Sequence, residues 1–144
     1  MRVEALGVQP VGRCAVGSKC RAPFLLKLLE GADVLVYNVR PQAMARLGLT
    51  YAEVAAVNPR IVYCAISGSG YSDPARTPRG AYDHVIQALT GMTMLAGMEG
   101  DPPVKTGFPV IDAATGIIGA LAIVTALRDR DRAGNGCFLD VSMW

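Results

Sequence analysis

Histidine is almost absent from this 144-residue chain: His84 is the only one, and the familiar zinc sites built on several imidazoles cannot be assembled from a single ring. Charge of one sign is missing too. The 14 basic and 12 acidic residues leave a formal +2 spread along the chain, without the basic stripe that a nucleic-acid partner requires. Aromatic packing is thin, with three Phe and one Trp, so a core must come from Leu, Val, Ile, Ala and Met. Cysteine is sparse, and Cys14, Cys20, Cys64 and Cys137 follow no secretory signal. Cys64 and Cys137 lie in strand-like runs where buried free thiols are common, and a reducing cytoplasm is the expected compartment. Cys14 and Cys20 have no local histidine beside them and make a poor zinc pair, so no metal is expected.

What is present is a globular composition, 51% hydrophobic with 16 glycines and 9 prolines. The length suits one domain that buries about two-thirds of its extended surface. Residues 1–21 carry little periodicity. From Ala22 the signals sharpen: Pro23 suits a first helical turn, and Phe24 to Glu30 form a short apolar helix stopped at Gly31. Val34 to Tyr37 reads as a buried strand that opens onto a polar loop at Asn38, Val39, Arg40 and Pro41, the kind of strand end where open α/β sheets bind ligands. Thr50 and Glu53 have capping-box spacing for a helix to about Val57. Ile61 to Ile66 is the next strand, and Ser67-Gly68-Ser69-Gly70 follows it directly. A helix from about Tyr82 to Leu89 comes next, and Phe138 to Ser142 closes as a strand. Strands alternating with helices are the grammar of a parallel sheet with crossover helices.

The run from Ala113 to Leu127 is uncharged, and Val110 to Leu127, with Asp112 as its single charge, just reaches the length of a membrane span. The strand-like segments on either side favour a buried helix in a soluble core, and no membrane partner is expected.

Few residues offer chemistry. Ser67-Gly68-Ser69-Gly70 lacks the Walker lysine, the dinucleotide spacing and the hydrolase elbow frame; it reads as a sharp turn or as a backbone contact to a ligand such as an acyl or pantetheine group. His84 could act as an acid or base, but it follows Asp83 inside a helix, where neighbours do not face one another, and reads as a structural or surface residue. Asp112 stands at the mouth of the long apolar helix. It suits a cap or first turn, or a covalent nucleophile if it faces a reactive carbonyl in a site that excludes water. Spacing does not choose between these.

Several short runs keep a common order: Ala32 to Pro41, Leu47-Gly48-Leu49, Asn58 to Tyr63, Ile66-Ser67-Gly68, Tyr82-Asp83, Gly107 to Asp112, Thr115-Gly116, Gly134-Asn135-Gly136 and Asp140-Val141-Ser142. Together they resemble the class III coenzyme A transferase family, which includes formyl-CoA transferase, carnitine-CoA transferase and α-methylacyl-CoA racemase relatives. The resemblance implies an α/β fold, a partial Rossmann-like parallel sheet domain over residues 22–144 behind an unmatched segment at 1–21. It implies that Asp112 is the transferase nucleophile and that Asn38 and Arg46 help hold coenzyme A. Ser67 and Gly68 contribute their turn, and Val39 stands where the family more often has an aromatic packing group. No tightly bound cofactor is implied; coenzyme A and acyl-CoA are substrates, a carboxylic acid is the acceptor, and two chains interlock as a homodimer.

The activity implied is transfer of coenzyme A between carboxylic acids through a covalent aspartyl intermediate. An α-methylacyl-CoA racemase is the alternative, although racemases carry a histidine where this chain has Tyr82. Because the resemblance covers roughly one-third of a family chain and does not include residues 1–21, an incomplete and poorly active, or non-catalytic, fragment is also expected.

Overall fold

The computed structural model describes residues 22–71, 81–95 and 97–144. The unmatched segment, with Cys14 and Cys20, and most of the loop expected at residues 71–80 lie outside them.

Three parallel strands form one sheet in the order β1-β2-β3: β1 Val34–Tyr37, β2 Val62–Ser67 and β3 Cys137–Ser142. Val34 pairs with Val62 and Val62 with Cys137, and the register continues so that Tyr37, Ala65 and Asp140 lie level near the carboxyl ends. Alternation along the strands then sorts the side chains. Leu35, Tyr37, Ile61, Tyr63 and Phe138 meet Leu29, Met44, Leu49 and Val54 in the main core. Tyr63 is almost fully buried and donates its hydroxyl to the Leu49 carbonyl at 2.6 Å. The opposite face of β2 and β3 packs on the long helix. These are the expected α/β class and the parallel sheet with crossover helices.

The helices that cover the aromatic face are short. α1 is Ala22–Leu29, α2 Pro41–Leu47 and α3 Tyr51–Val57, each too short to persist without tertiary packing. Asn58 binds α1 to the strand that follows α3: its Nδ2 donates to the carbonyls of Leu29 and Ala32 at 2.9 and 2.8 Å, and its Oδ1 accepts from Arg60 N at 3.1 Å. The expected Thr50–Glu53 capping box is formed. Helix α2 adds to the sequence reading, which places Pro41 in the polar loop after β1 and assigns no element between it and Thr50. Pro41 opens this helix, and Gly48 closes it in the left-handed region at φ 68°.

Beyond β2 come α4, Asp83–Leu89, a 3₁₀ turn at Met92–Met94, and α5, Val110–Ala133. The last starts earlier and ends later than the expected 113–127. Its burial also differs from expectation. Thr115, Gly119 and Ala126 face the sheet, whereas Ile117, Ile118, Leu121 and Val124 are 59–71% exposed among the described residues. The helix is long and apolar enough to cross a membrane by length and composition; its contact with the sheet is a narrow stripe of small residues. After Gly134, at φ 83°, the chain turns into β3. Gly136 passes so close to β2 that a Cβ there would lie 2.0 Å from the Ile61 carbonyl oxygen, which reserves the position for glycine.

Candidate active site

In a parallel sheet the loops leaving the carboxyl ends converge, and this end of the sheet holds a cavity of about 330 Å³. Asn38, Val39, Arg40 and Pro41 reach it from the end of β1. Ile66, Ser67 and Gly68 come from β2, Ala81 and Tyr82 from the approach to α4, Asp112 from the first turn of α5, and Met143 from the end of β3. Five residues singled out from sequence therefore meet here: Asn38, Val39, Ser67, Gly68 and Asp112. Arg46 does not line this cavity. It lines a separate hollow of about 260 Å³ with Arg40, Gln42 and Ala43, and Arg40 borders both.

The turn after β2 is fastened from several directions. Ser67 Oγ accepts from Gly70 N at 2.8 Å, and Gly70 sits at φ 78°. Met143 N donates to the Ser67 carbonyl at 2.9 Å, and Tyr71 N donates to Asp140 Oδ2 at 2.7 Å. Gly68 is needed for proximity: a Cβ on it would stand 2.2 Å from Ala81 Cβ. The segment forms the sharp turn expected of it, and Ser67 and Gly68 line the cavity.

Asp112 is the third residue of α5, not its cap; Pro109 occupies that place and offers no side-chain acceptor. The carboxylate is exposed at the positive end of the helix dipole, which favours an anion. Its backbone N–H donates to Asp83 Oδ2 at 2.9 Å. Asp83 is buried, 8% exposed, and its Oδ1 accepts from Gln87 Nε2. Gln87 Oε1 in turn accepts from Thr106 N at 3.0 Å. The sequence reading does not include this pair, although its spacing of four on a helix is a usable signal.

His84 is exposed, as expected of a surface residue, and its ring stacks on Tyr82 with centroids 5.9 Å apart and planes 8° from parallel. Adjacent helical directions would not bring these rings together; Tyr82 precedes the helix as its N-cap in extended backbone. Tyr82, singled out in the sequence as part of the Tyr82-Asp83 run, itself lines the cavity. Among the described residues no group of three or more His, Cys, Asp or Glu side chains is placed to hold a metal. On the other face of the sheet an apolar hollow of about 500 Å³ lies against Tyr37, Tyr51, Tyr63, Tyr71 and Phe138. Burial and the hydrogen bond to Tyr71 hold the Tyr37 phenol far above its ordinary range, and it stays neutral.

Comparison with known proteins places the chain in a family. The profile of CoA-transferase family III matches residues 18–144. The acetyl-CoA:oxalate CoA-transferase of Acetobacter aceti is 41% identical over 126 residues, 86% of this chain and 32% of that protein. The formyl-CoA:oxalate CoA-transferase of Streptomyces avermitilis is 39% identical over 120 residues, 83% of this chain and 29% of that one. Among solved structures, a CAIB/BAIF family protein from Brucella suis superposes with a TM-score of 0.79 at 33% identity, over 85% of this chain and 32% of its own. The chain thus spans about a third of the length of these relatives. By matched sequence over most of its length, and by a fold shared with solved relatives, this chain belongs to CoA-transferase family III.

Proposed function

We propose that this chain carries the nucleophile and part of the coenzyme A site of an enzyme that exchanges coenzyme A between carboxylic acids. The observation that supports the reading best is the single cavity in which Asp112 stands with Asn38, Val39, Ser67 and Gly68, residues drawn from two strand ends and a helix start. Arg40 and Arg46 border the adjoining hollow, where two guanidinium groups suit phosphate oxygens of coenzyme A.

Asp112 attacks the thioester carbonyl of the donor; the carbon–sulfur bond breaks and the electron pair leaves with the coenzyme A thiolate, giving a mixed anhydride. The thiolate attacks the aspartyl carbonyl of that anhydride and releases the donor carboxylate. An aspartyl-CoA thioester is left. The acceptor carboxylate then attacks it, the thiolate leaves again, and a second anhydride forms. Attack of the thiolate on the acceptor carbonyl yields the new acyl-CoA and regenerates Asp112. No net proton is consumed, and each intermediate keeps an activated acyl group that water would destroy. Asp112 is exposed among the described residues, and the reading requires that it be shielded from water while the thioester is bound.

The test is mass spectrometry of the chain after incubation with a panel of acyl-CoA donors, followed by carboxylate acceptors that include oxalate. An acyl or coenzyme A adduct on the peptide containing Asp112 is expected, and none on an Asp112→Ala variant. Exchange that survives Asp112→Ala, or adducts confined to other residues, overturns the assignment. Inversion at the carbon next to the thioester without exchange would instead support a racemase.

A further inference from the structure

Both ends of the polar chain behind Asp112 are backbone N–H groups, Asp112 N at one and Thr106 N at the other. Between them stand two side chains that are almost completely buried, Asp83 at 8% and Gln87 at 1% exposure. A glutamine has one accepting and one donating end. Thr106 N–H needs an acceptor, so Gln87 presents Oε1 to it and Nε2 to Asp83. Asp83 therefore receives a donor on each oxygen, one from Gln87 and one from Asp112. Only a group that accepts at both positions completes the series, and that group is a carboxylate. An amide at position 83 would leave one buried donor facing another, wherever along the chain the mismatch was moved.

The same chain sets where Asp112 stands. Pro109 begins α5 without a side-chain acceptor, and Asp83 supplies one from a different helix, 29 residues earlier in sequence. Gln87 fixes Thr106, where the chain starts its approach to α5, and Thr106 Oγ1 donates to the Phe108 carbonyl at 2.9 Å. The approach is thus held at Thr106 and again at Asp112. Asp83 also directly follows Tyr82, another wall of the cavity.

We infer that Asp83 and Gln87 are positioning residues that fix the first turn of α5, and with it the Asp112 carboxylate, through a hydrogen-bond series of set polarity; the catalytic meaning rests on the proposed role of Asp112. The test exchanges the polarity. In Asp83→Asn the series has a donor too many. In Gln87→Glu it has an acceptor too many and two carboxylates in contact. In the double variant Asp83→Asn/Gln87→Glu, the carbonyl of the introduced asparagine can accept from Asp112 N–H while its amide donates to the introduced glutamate. The second oxygen of that glutamate accepts from Thr106 N–H, and donors and acceptors balance again.

Each variant of the full chain is followed by NMR amide exchange at Asp112 and Thr106, by coenzyme A affinity, and by the rate of adduct formation on Asp112 from an acyl-CoA. Either single change should speed exchange at the Asp112 amide about tenfold or more and slow adduct formation on the order of 10- to 100-fold, with affinity for coenzyme A altered less than about threefold. The double variant should return both rates to within about threefold of the parent. Undisturbed amide protection in the single variants, or a double variant no better than either, overturns the inference. If the single variants do not fold, the double variant decides: folding with parental protection supports the series, and failure to fold rejects it. Absence of any adduct in the parent would count against the nucleophile alone, because amide exchange reports on the series independently of the chemistry.

Discussion

Replacing Gly68 by alanine tests whether the cavity wall is held open by one close approach. The added Cβ would arrive 2.2 Å from Ala81 Cβ, with Ala81 Cα at 3.5 Å and Ala81 N at 3.8 Å. Carbon atoms rest about 3.5–4.0 Å apart, so the two segments must separate by roughly 1.5 Å to relieve the first contact, while the other two distances are already ordinary. Overpacking of this kind costs about 1–3 kcal/mol. The displaced segment is also the one that leads into Tyr82 and Asp83, so the strain is delivered to the cavity and to the start of α5. The compensating change is Ala81→Gly, which removes the atom that is struck. Its own cost, from added freedom in the unfolded chain, is about 0.4–1 kcal/mol. Urea denaturation should therefore rank the proteins as parent, then Gly68→Ala/Ala81→Gly, then Gly68→Ala. A single variant as stable as the parent, or a double variant less stable than the single one, would refute the argument from proximity.

Asn58→Ala removes three hydrogen bonds and should cost about 3 kcal/mol at roughly 1 kcal/mol each. Asn58→Asp should cost more, because a carboxylate oxygen would replace the amide that now faces two carbonyls; an Asp variant of parental stability in the same denaturation experiment contradicts this. The hydrogen bonds from Thr50 Oγ1 and Thr50 N hold the Glu53 carboxyl below its ordinary range. The folded protein then binds that proton more weakly than the unfolded chain, so the box contributes fully above a pH of about 4.3 and its contribution fades as pH falls through the lower folded value. An NMR titration of Glu53 with its midpoint at or above the unfolded value would be inconsistent. Burial raises the Cys64 thiol, and the residue is fully enclosed; peptide mapping after alkylation at a pH of about 8 should find it unmodified in the native chain and modified in urea.

Local signals carried most of the fold into view. The Thr50–Glu53 box and the apolar runs of β2 and β3 each fall within a few residues; the box forms as read, and the strands read at 61–66 and 138–142 form at Val62–Ser67 and Cys137–Ser142. Helix α2 escaped because it is seven residues long and buries one side chain, Met44, too little for an apolar period to register; Pro41 and Gly48 were its legible ends. Helix α5 began early because proline tolerates the N-cap position. It ran on through Arg128 to Ala133, where Arg130 reaches Asp33 at 2.8 Å, a partner 97 residues away. Its exposure was invisible for a related reason: hydropathy records what a side chain prefers, whereas coverage depends on which residues of the fold reach it. At the site, Asn38, Val39, Ser67, Gly68 and Asp112 were recognisable as short motifs in order. The separation of Arg46 from their cavity and the series through Asp83 and Gln87 arise from packing between segments distant in sequence, for which no local pattern exists.

Asp112 rides near one end of a 24-residue helix whose other end is anchored at Gly134, where the chain enters β3. The helical distance between them is about 33 Å at 1.5 Å per residue, which makes α5 a lever arm. A tilt of about 3° around the Gly134 end would swing Asp112 through about 2 Å, more than a near-attack geometry tolerates if Asp112 is the nucleophile proposed for it. Ile117, Ile118, Leu121 and Val124 line the length of that arm and stand exposed. Thr115, Gly119 and Ala126 hold the arm to the sheet and Asp83 holds its first turn, so a load on the exposed face would reach the carboxylate only by working against those contacts.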